Sequence, residues 1–338
     1  MLVARRDSSF VAIDREMLSR HWPVVEAPRG SSPKALLGTA AAVVRSQVVY
    51  GWFAGWHTAV AVTLAWLLRK PSVVVVGGVD LANLPDIGYG FQRGGPRRWI
   101  SRWVMARATR LITNSRFSQH ELAANAGIAS ERATVVHHGV PDPFGAVPDG
   151  PRERVAITVG VVDHRNLERK GLRAFVAAAA QLPDVRFVVV GRWDDDAIEL
   201  LQRDAAPNVN FTGWLSDEAL QEQLRRAAVY VQASRHEGFG MSVAEAMLGG
   251  CIPVVTAAGA LPEVVGDSGI VVTSADPAVL ADAVETALAK PCADRARARA
   301  RVLSCFPLEM RERGIVEVVT DALAVGSAGA IPRQGHYF

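Results

Sequence analysis

The sequence predicts an α/β protein of two doubly wound halves, each a parallel sheet covered by helices. Short β-branched runs alternate with helix-length segments along the chain. A loop rich in proline and glycine, residues 140–151, interrupts that alternation near the middle. At 338 residues the chain is about twice the usual domain length, so a single core is not expected. The expected units are residues 1–150, residues 151–310, and a C-terminal helix with a tail, residues 311–338, placed to return to the first unit.

In the first half, strands are expected at Val3, Val48, Val73 and Leu111, with helices beginning near Ser9, His57, Pro96 and Ser118. Residues 48–68 carry no formal charge and are long enough to span a bilayer. Gly51 and Gly55 break the run, however, and its second part ends in Arg69 and Lys70 before a strand at residues 72–76. A buried βαβ unit is the preferred reading. In the second half, strands are expected near Val155, Phe187, Val209, Val229, Ile252 and Ile270. No GxGxxG opens either half. The nearest approach, GYGFQRGG at residues 88–95, puts Arg93 where the third glycine belongs, which disfavours a dinucleotide oxidoreductase.

Hydrophobic residues make up 49% and charged residues 21%, a globular balance. Cys251, Cys292 and Cys305 are odd in number and form no CxxC pair, so neither a disulfide framework nor a zinc site is indicated. The amino terminus lacks the apolar core of a signal peptide, and a cytoplasmic setting is expected. Charge is uneven: residues 1–150 hold 17 Lys and Arg against 10 Asp and Glu, a net of +7. Whole-chain totals of 37 and 34 leave 20 against 24, a net of −4, for the rest. Much of the excess lies in residues 94–110, where Arg98, Arg102 and Arg110 share a helical pattern with Trp99 and Trp103. Two readings stand equal. One is a helix lying on an anionic membrane, a peripheral contact at its inner face; the other is an ordinary surface helix with Trp and Ile turned to the core. No nucleic-acid recognition module appears, and nucleic acid is not an expected partner.

The most informative stretch is RHEGFGMSVAEAM, residues 235–247. It follows a buried-strand run, AVYVQA at residues 228–233, and leads into a helix. Gly238 and Gly240 leave N–H groups uncrowded where that helix begins, which suits a phosphate or a sugar hydroxyl. Ser242 and Glu245 also spell a capping box, with Glu245 turned back onto Ser242. Against that stands Glu237, an acid in a glycine turn at the carboxyl end of a strand, where open α/β sheets bind ligands.

Glu237 and Glu245 flank seven residues, and Gly250, Pro253, Val254 and LPEVVGDSG at residues 261–269 follow. This segment resembles the signature of retaining GT-B glycosyltransferases of the family four type, the glycosyl transferases of group 1. The resemblance implies a GT-B fold: two Rossmann-like domains facing a cleft, the first on the acceptor side and the second binding the nucleotide sugar. It implies that Glu245 accepts hydrogen bonds from the ribose and that Glu237 faces the donor sugar. Gly238 and the N–H groups of Phe239, Gly240, Met241 and Ser242 are implied near sugar and diphosphate. The base is implied near residues 211–218, at Trp214 and Leu215, and Glu263 is implied to orient this loop set.

The second element is VGVVDHRNLERKGL, residues 159–172. The resembling family carries a glycine followed directly by an arginine, then a lysine and glycine, and its two cations grip the diphosphate. Gly160, Lys170 and Gly171 match, but Val161 stands at the arginine position. Arg165 and Arg169 are the candidates to restore the second cation, Arg169 being the closer in sequence. A leaving nucleoside diphosphate gains negative charge as the glycosidic bond breaks, and positioned cations stabilise it. The implied catalytic set is Glu237, Lys170 and Arg169.

Asp194, Asp195 and Asp196 resemble the DxD metal ligands of another glycosyltransferase fold. Three consecutive aspartates cannot all face one ion, and Asp196 reads as a helix cap. No metal and no cofactor beyond the donor is expected. On the acceptor side, the histidine that family members often carry after the strand at residues 72–76 is absent. Asp80 is the candidate contact for a substrate hydroxyl and equally a cap, while Asp7, Ser8 and Ser9 replace the family's glycine-rich loop, with Ser9 a candidate acceptor-side residue or cap. His57, His137 and His138 read as satisfied rather than catalytic.

The expected function is retaining transfer of a hexose from a nucleotide diphosphate sugar to a glycan, lipid-linked or small-molecule acceptor. The alternatives are a sugar-nucleotide epimerase or a non-catalytic sugar-nucleotide-binding protein on the same fold.

Overall fold

The structure is a computed structural model that describes residues 2–3, 8–28, 30, 32–146 and 150–327. It forms two compact units, residues 1–139 with 308–338, and residues 140–307.

The first unit holds five parallel strands, β1 (Leu2–Val3), β2 (Val49–Trp52), β3 (Ser72–Val76), β4 (Arg110–Thr113) and β5 (Ala133–Val135), side by side in that order. Parallel neighbours require crossovers. These are α1 (Ser9–His21), α2 (Pro33–Arg45), α3 (Trp56–Leu67), α4 (Gly95–Arg107) and α5 (Arg116–Ala126). The charge-free run at residues 48–68 is therefore a strand and a helix, and no described helix is long and apolar enough to cross a membrane. Two elements were not expected. One is α2, whose start is marked by Ser32, which accepts from Ala35 N at 3.2 Å, and by Pro33 in the first turn. The other, β5, is too short for alternation to show.

The second unit contains all six expected strands: β6 (Glu153–Val159), β7 (Arg186–Val190), β8 (Val209–Gly213), β9 (Ala227–Gln232), β10 (Ile252–Thr256) and β11 (Ile270–Val272). Its helices are α6 (His164–Arg169), α7 (Leu172–Ala178), α8 (Ala197–Asp204), α9 (Asp217–Arg226), α10 (Met241–Leu248), α11 (Leu261–Val265), α12 (Pro277–Leu288) and α13 (Cys292–Cys305). The spatial order is β11-β10-β9-β6-β7-β8, all parallel. Alternate residues feed two cores, with Ala156, Val189, Val229 and Val231 on one face and Ile157, Val188, Val190 and Tyr230 on the other. Strand order reverses between β6 and β9, the switch point at which open sheets bind ligands.

The unit boundaries lie earlier than expected, at 139/140 and 307/308 instead of 150 and 310. Residues 140–146 are fastened to the second unit: Val140 N–H donates to Phe306 O at 2.9 Å, Phe144 joins the core beside α10, and Arg299 holds Asp142. The chain then re-enters the first unit as α14 (Leu308–Ser327), where Ile315, Val318, Val319 and Ala322 pack with Val11, Leu18, Tyr50 and Val73. Arg311 anchors this return. Its guanidinium donates to both oxygens of Asp14, at 2.8 and 2.9 Å, and to Val136 O at 2.8 Å. Asp14 also accepts from Tyr50 Oη at 2.6 Å and Trp52 Nε1 at 2.9 Å, all four side chains being buried.

Candidate functional site

The loops that follow β6 and β9 meet at the switch point of the second unit. Gly171 makes this meeting possible. Its φ is 68°, and a Cβ there would lie 2.1 Å from Ala233 O, so only glycine lets the loop lean on the end of β9. Arg235 N–H donates to Arg169 O at 2.8 Å and stitches the two loops together. As a result Lys170 Nζ lies 2.8 Å from Glu237 Oε1, with Arg169 Nη1 at 3.9 Å. Burial pushes the Glu237 carboxyl up, but Lys170 and then Arg169 outweigh it and hold the group below the usual range. Glu237 is thus an ionised acid between two cations.

The two candidates for the second cation lie in different surroundings. Arg169 has its guanidinium held by Asn166 Oδ1 at 2.7 and 3.0 Å and faces Glu237, whereas Arg165 is exposed and pairs with Asp163 at 3.2 Å. Gly160 closes β6, its N–H donating to Val190 O at 2.9 Å.

At α10 the capping-box reading fails. The residue before the helix is Gly240, with φ 107° and no side-chain cap, and Ser242 lies inside the first turn. The Ser242 hydroxyl donates to Gln232 Oε1 at 3.3 Å instead. Val243 and Ala244 N–H donate to Gly240 O at 3.0 and 3.2 Å, so the N–H groups ahead of them, Met241 and Ser242, with the helix dipole, are the ones this helix start offers to an anion. Glu245, on the next turn, has its carboxyl pushed up to about 7 by burial, with Asp217 adding and Lys170 opposing.

That shift has a consequence for stability. A carboxyl with a folded value near 7 and an unfolded value near 4.5 binds more protons in the fold over that window. Its contribution therefore falls as pH rises from about 4.5 to 7. Glu245→Gln is expected to flatten this slope, measured as the denaturation midpoint at pH 5 and pH 8; an unchanged slope contradicts the assignment.

A buried polar chain beneath Glu237 escaped the sequence reading. Tyr230 Oη donates to Gln232 Oε1 at 2.9 Å, Gln232 Nε2 donates to Ser234 Oγ at 2.6 Å, and Ser234 Oγ donates to Glu237 Oε1 at 3.1 Å. Its signal was present in AVYVQAS: a glutamine and a serine interrupt an otherwise apolar strand immediately before the motif. Buried polar side chains are rarely idle, because each requires a partner.

The remaining second-unit residues fall around these loops. Trp214 follows β8 and is 71% exposed, while Leu215 packs against the core. Phe239 is buried edge-on to Phe306 at 5.1 Å, Met241 is partly buried, and Gly238 precedes them in the turn. Glu263 lies in the first turn of α11, where Arg301 holds its carbonyl at 2.7 Å.

Asp196 is not the cap it was expected to be. Asp195 accepts from the N–H groups of Ala197 and His164, at 3.0 and 3.1 Å, and Asp196 contacts His164 Nε2 at 2.8 Å. His164, Asp195 and Asp196 are an exposed trio able to hold a metal ion, their ligand atoms all within 4.8 Å of one another. Asp194 turns away to Arg192.

In the first unit Asp80 is buried, and its oxygens accept from Ala54 N at 2.9 Å and Gly77 N at 3.0 Å. Burial lifts its carboxyl to about 7 despite those two donors. It braces the ends of β2 and β3, each carboxylate oxygen being engaged by a main-chain N–H. Ser9 is exposed within α1, and the position before the helix belongs to Ser8, whose side chain makes no cap. Asp7 lies outside the described residues. His57 contacts Trp52 O at 2.8 Å, and His138 stacks on Trp52 with centroids 5.7 Å apart. Burial, then the charge of Arg311, holds the His138 imidazole well below its usual range.

A family model described as glycosyl transferases group 1 matches residues 153–290, and one described as glycosyltransferase family 4 matches residues 17–142. The chain is 27% identical to a glycogen synthase of Mycobacterium tuberculosis over 270 residues, 72% of this chain and 64% of that one. It thus spans just under two thirds of that relative's length. It is also 27% identical to the lipopolysaccharide core biosynthesis mannosyltransferase LpcC of Rhizobium leguminosarum over 285 residues, 76% and 78% of the two chains. Among solved structures it is similar to Anabaena HepE in complex with UDP and glucose, with a TM-score of 0.76 at 20% identity over 94% and 91% of the two chains. That likeness establishes the fold as GT-B.

Proposed function

The chain belongs to the glycosyl transferases of group 1, and from that premise we propose that it transfers a hexose, with retention, from a nucleoside diphosphate sugar to a hydroxyl acceptor. The observation that carries this reading is the Lys170–Glu237 contact at 2.8 Å, with Arg169 beside it, next to the start of α10. A purely nucleotide-binding protein has no need of an ionised buried acid set against the cations that would hold a diphosphate.

In this mechanism the bond between the sugar's anomeric carbon and the diphosphate oxygen breaks, its electron pair leaving with the diphosphate. Lys170, Arg169 and the first-turn N–H groups of α10 stabilise that charge. The acceptor oxygen bonds to the same face of the anomeric carbon, and its proton passes to the departing phosphate oxygen. Glu237 orients the sugar, Glu245 accepts from the ribose, and Trp214 with Leu215 lies at the base. The acceptor is a glycan, lipid-linked or small molecule, met by the first unit. The cations do the work that a metal does elsewhere, so EDTA should leave the rate unchanged.

Two substitutions separate the acids. Glu245→Ala is expected to weaken binding of the free nucleoside diphosphate in calorimetry, by about tenfold for a lost charge-assisted bond. Glu237→Ala is expected to lower turnover while nucleotide affinity holds. Wild-type nucleotide affinity in Glu245→Ala contradicts its role. Screening UDP, GDP and ADP sugars for thermal stabilisation and for transfer tests the whole reading; a chain stabilised by none of them is not this enzyme.

A further inference from the structure

Three neighbouring helices of the first unit present an apolar outer side where surface helices ordinarily carry charge. The sequence of α3, WHTAVAVTLAWL, contains no charged residue. Its outer stripe runs Trp56, Val60, Leu64 and Leu67 at helical spacing, with Trp56 60% and Leu67 63% exposed. On α2, Leu37 is 72% exposed, and Ala41 and Val44 continue its stripe. On α4, Trp99 is 61% exposed and Trp103 lies one turn on. Trp103 fastens α4 to α3: its Nε1 donates to Thr63 Oγ1 at 2.9 Å, and Arg107 lies over Trp103 and Trp66 at 4.2 and 5.0 Å.

Charge on this side has one sign. From Ala27 to His120 the chain carries twelve Lys and Arg against two acids, Asp80 and Asp86, and none of α2, α3 and α4 contains an acid. Not every cation is available. Arg102 is tied to Gln92 and to Asn125 O, and Arg110 to Asp321. Lys34, Arg45, Arg69 and Arg97, at or near helix ends, are exposed. A second copy of this face would set cation against cation, whereas an anionic bilayer supplies both an apolar medium and the opposite charge.

We infer that the outer face of α2, α3 and α4 seats on an anionic lipid bilayer, with Trp56 and Trp99 at headgroup depth and Lys34, Arg45, Arg69 and Arg97 on lipid phosphates. The 12 residues of α3 rise about 18 Å against a hydrocarbon core of roughly 30 Å, so the face lies on the membrane and does not cross it. This deepens the proposed function by giving the acceptor side a surface, and it stands apart from the donor chemistry.

Flotation of the whole protein with vesicles of 30% phosphatidylglycerol in phosphatidylcholine, and with phosphatidylcholine alone, tests it. Binding is expected to the anionic vesicles at 50 mM salt and to fall at least tenfold at 500 mM. Arg69→Ser with Arg97→Ser should lower partitioning about tenfold or more, and Trp56→Ser with Trp99→Ser should do likewise, while Arg203→Ser in the second unit changes nothing. Thermal melts and calorimetry with the nucleoside diphosphate verify that each variant folds and keeps its donor site. No binding to anionic vesicles, or binding indifferent to both double variants, overturns the inference. So does a dimer in light scattering that Trp56→Ser dissociates, because the face then covers a second copy. Vesicle binding without any transfer activity would overturn the proposed function and leave this inference standing.

Discussion

Lys170→Ala is expected to lower turnover by about 10²-fold or more, the loss typical of removing one stabiliser of transition-state charge. Two effects act together. The departing diphosphate loses a cation, and Glu237 loses the charge that most strongly keeps it ionised in a buried site. With Arg169 left alone at 3.9 Å, the Glu237 carboxyl rises toward its ordinary range, and the acid limb of the pH–rate profile should move to higher pH. Lys170→Arg should restore part of the rate, since the charge returns in a different shape. Turnover within threefold of wild type, with an unmoved acid limb, would place the charge stabilisation elsewhere.

The largest expected effect on stability belongs to Asp14→Ala. It leaves Arg311 buried without its counter-charge and strips Tyr50 Oη and Trp52 Nε1 of their acceptor. Breaking a buried pair from one side costs about 3–5 kcal/mol, a large share of the roughly 5–15 kcal/mol that holds a typical protein together. Because α14 is the element that Arg311 anchors, hydrogen exchange of its amides should accelerate more than that of the second-unit strands. Asp14→Leu with Arg311→Met removes both charges and should be less destabilised than either single change. Asp14→Ala within 1 kcal/mol of wild type in urea unfolding, with α14 protection unchanged, refutes the anchor.

Much of the second unit was legible because its signals are local. Its six strands announce themselves as β-branched runs separated by turn residues, four of them largely buried, and Glu237, Glu245, Lys170 and Gly171 sit in short motifs. In the first unit the charge-free stretch at residues 48–68 resolved correctly into strand and helix, since Gly51 and Gly55 mark the break. Missed were α2 and β5, along with the place where each unit ends. Nothing in the residues at 140–146 says that Phe144 fits the core beside α10.

The sequence by itself determined the fold class, the family signature and the loops on which the proposed chemistry rests, because backbone propensity and side-chain periodicity act over a few residues. Only the tertiary structure decided what each polar group does. It put Arg169 and not Arg165 beside Glu237, turned Ser242 from a cap into a donor to Gln232, and sealed Asp80 under two main-chain N–H groups. It also paired Asp14 with Arg311 across 297 positions. The physical reason is that a buried polar atom must find its partner wherever the packed chain supplies one, and that partner is fixed by distance in space, which sequence spacing does not encode.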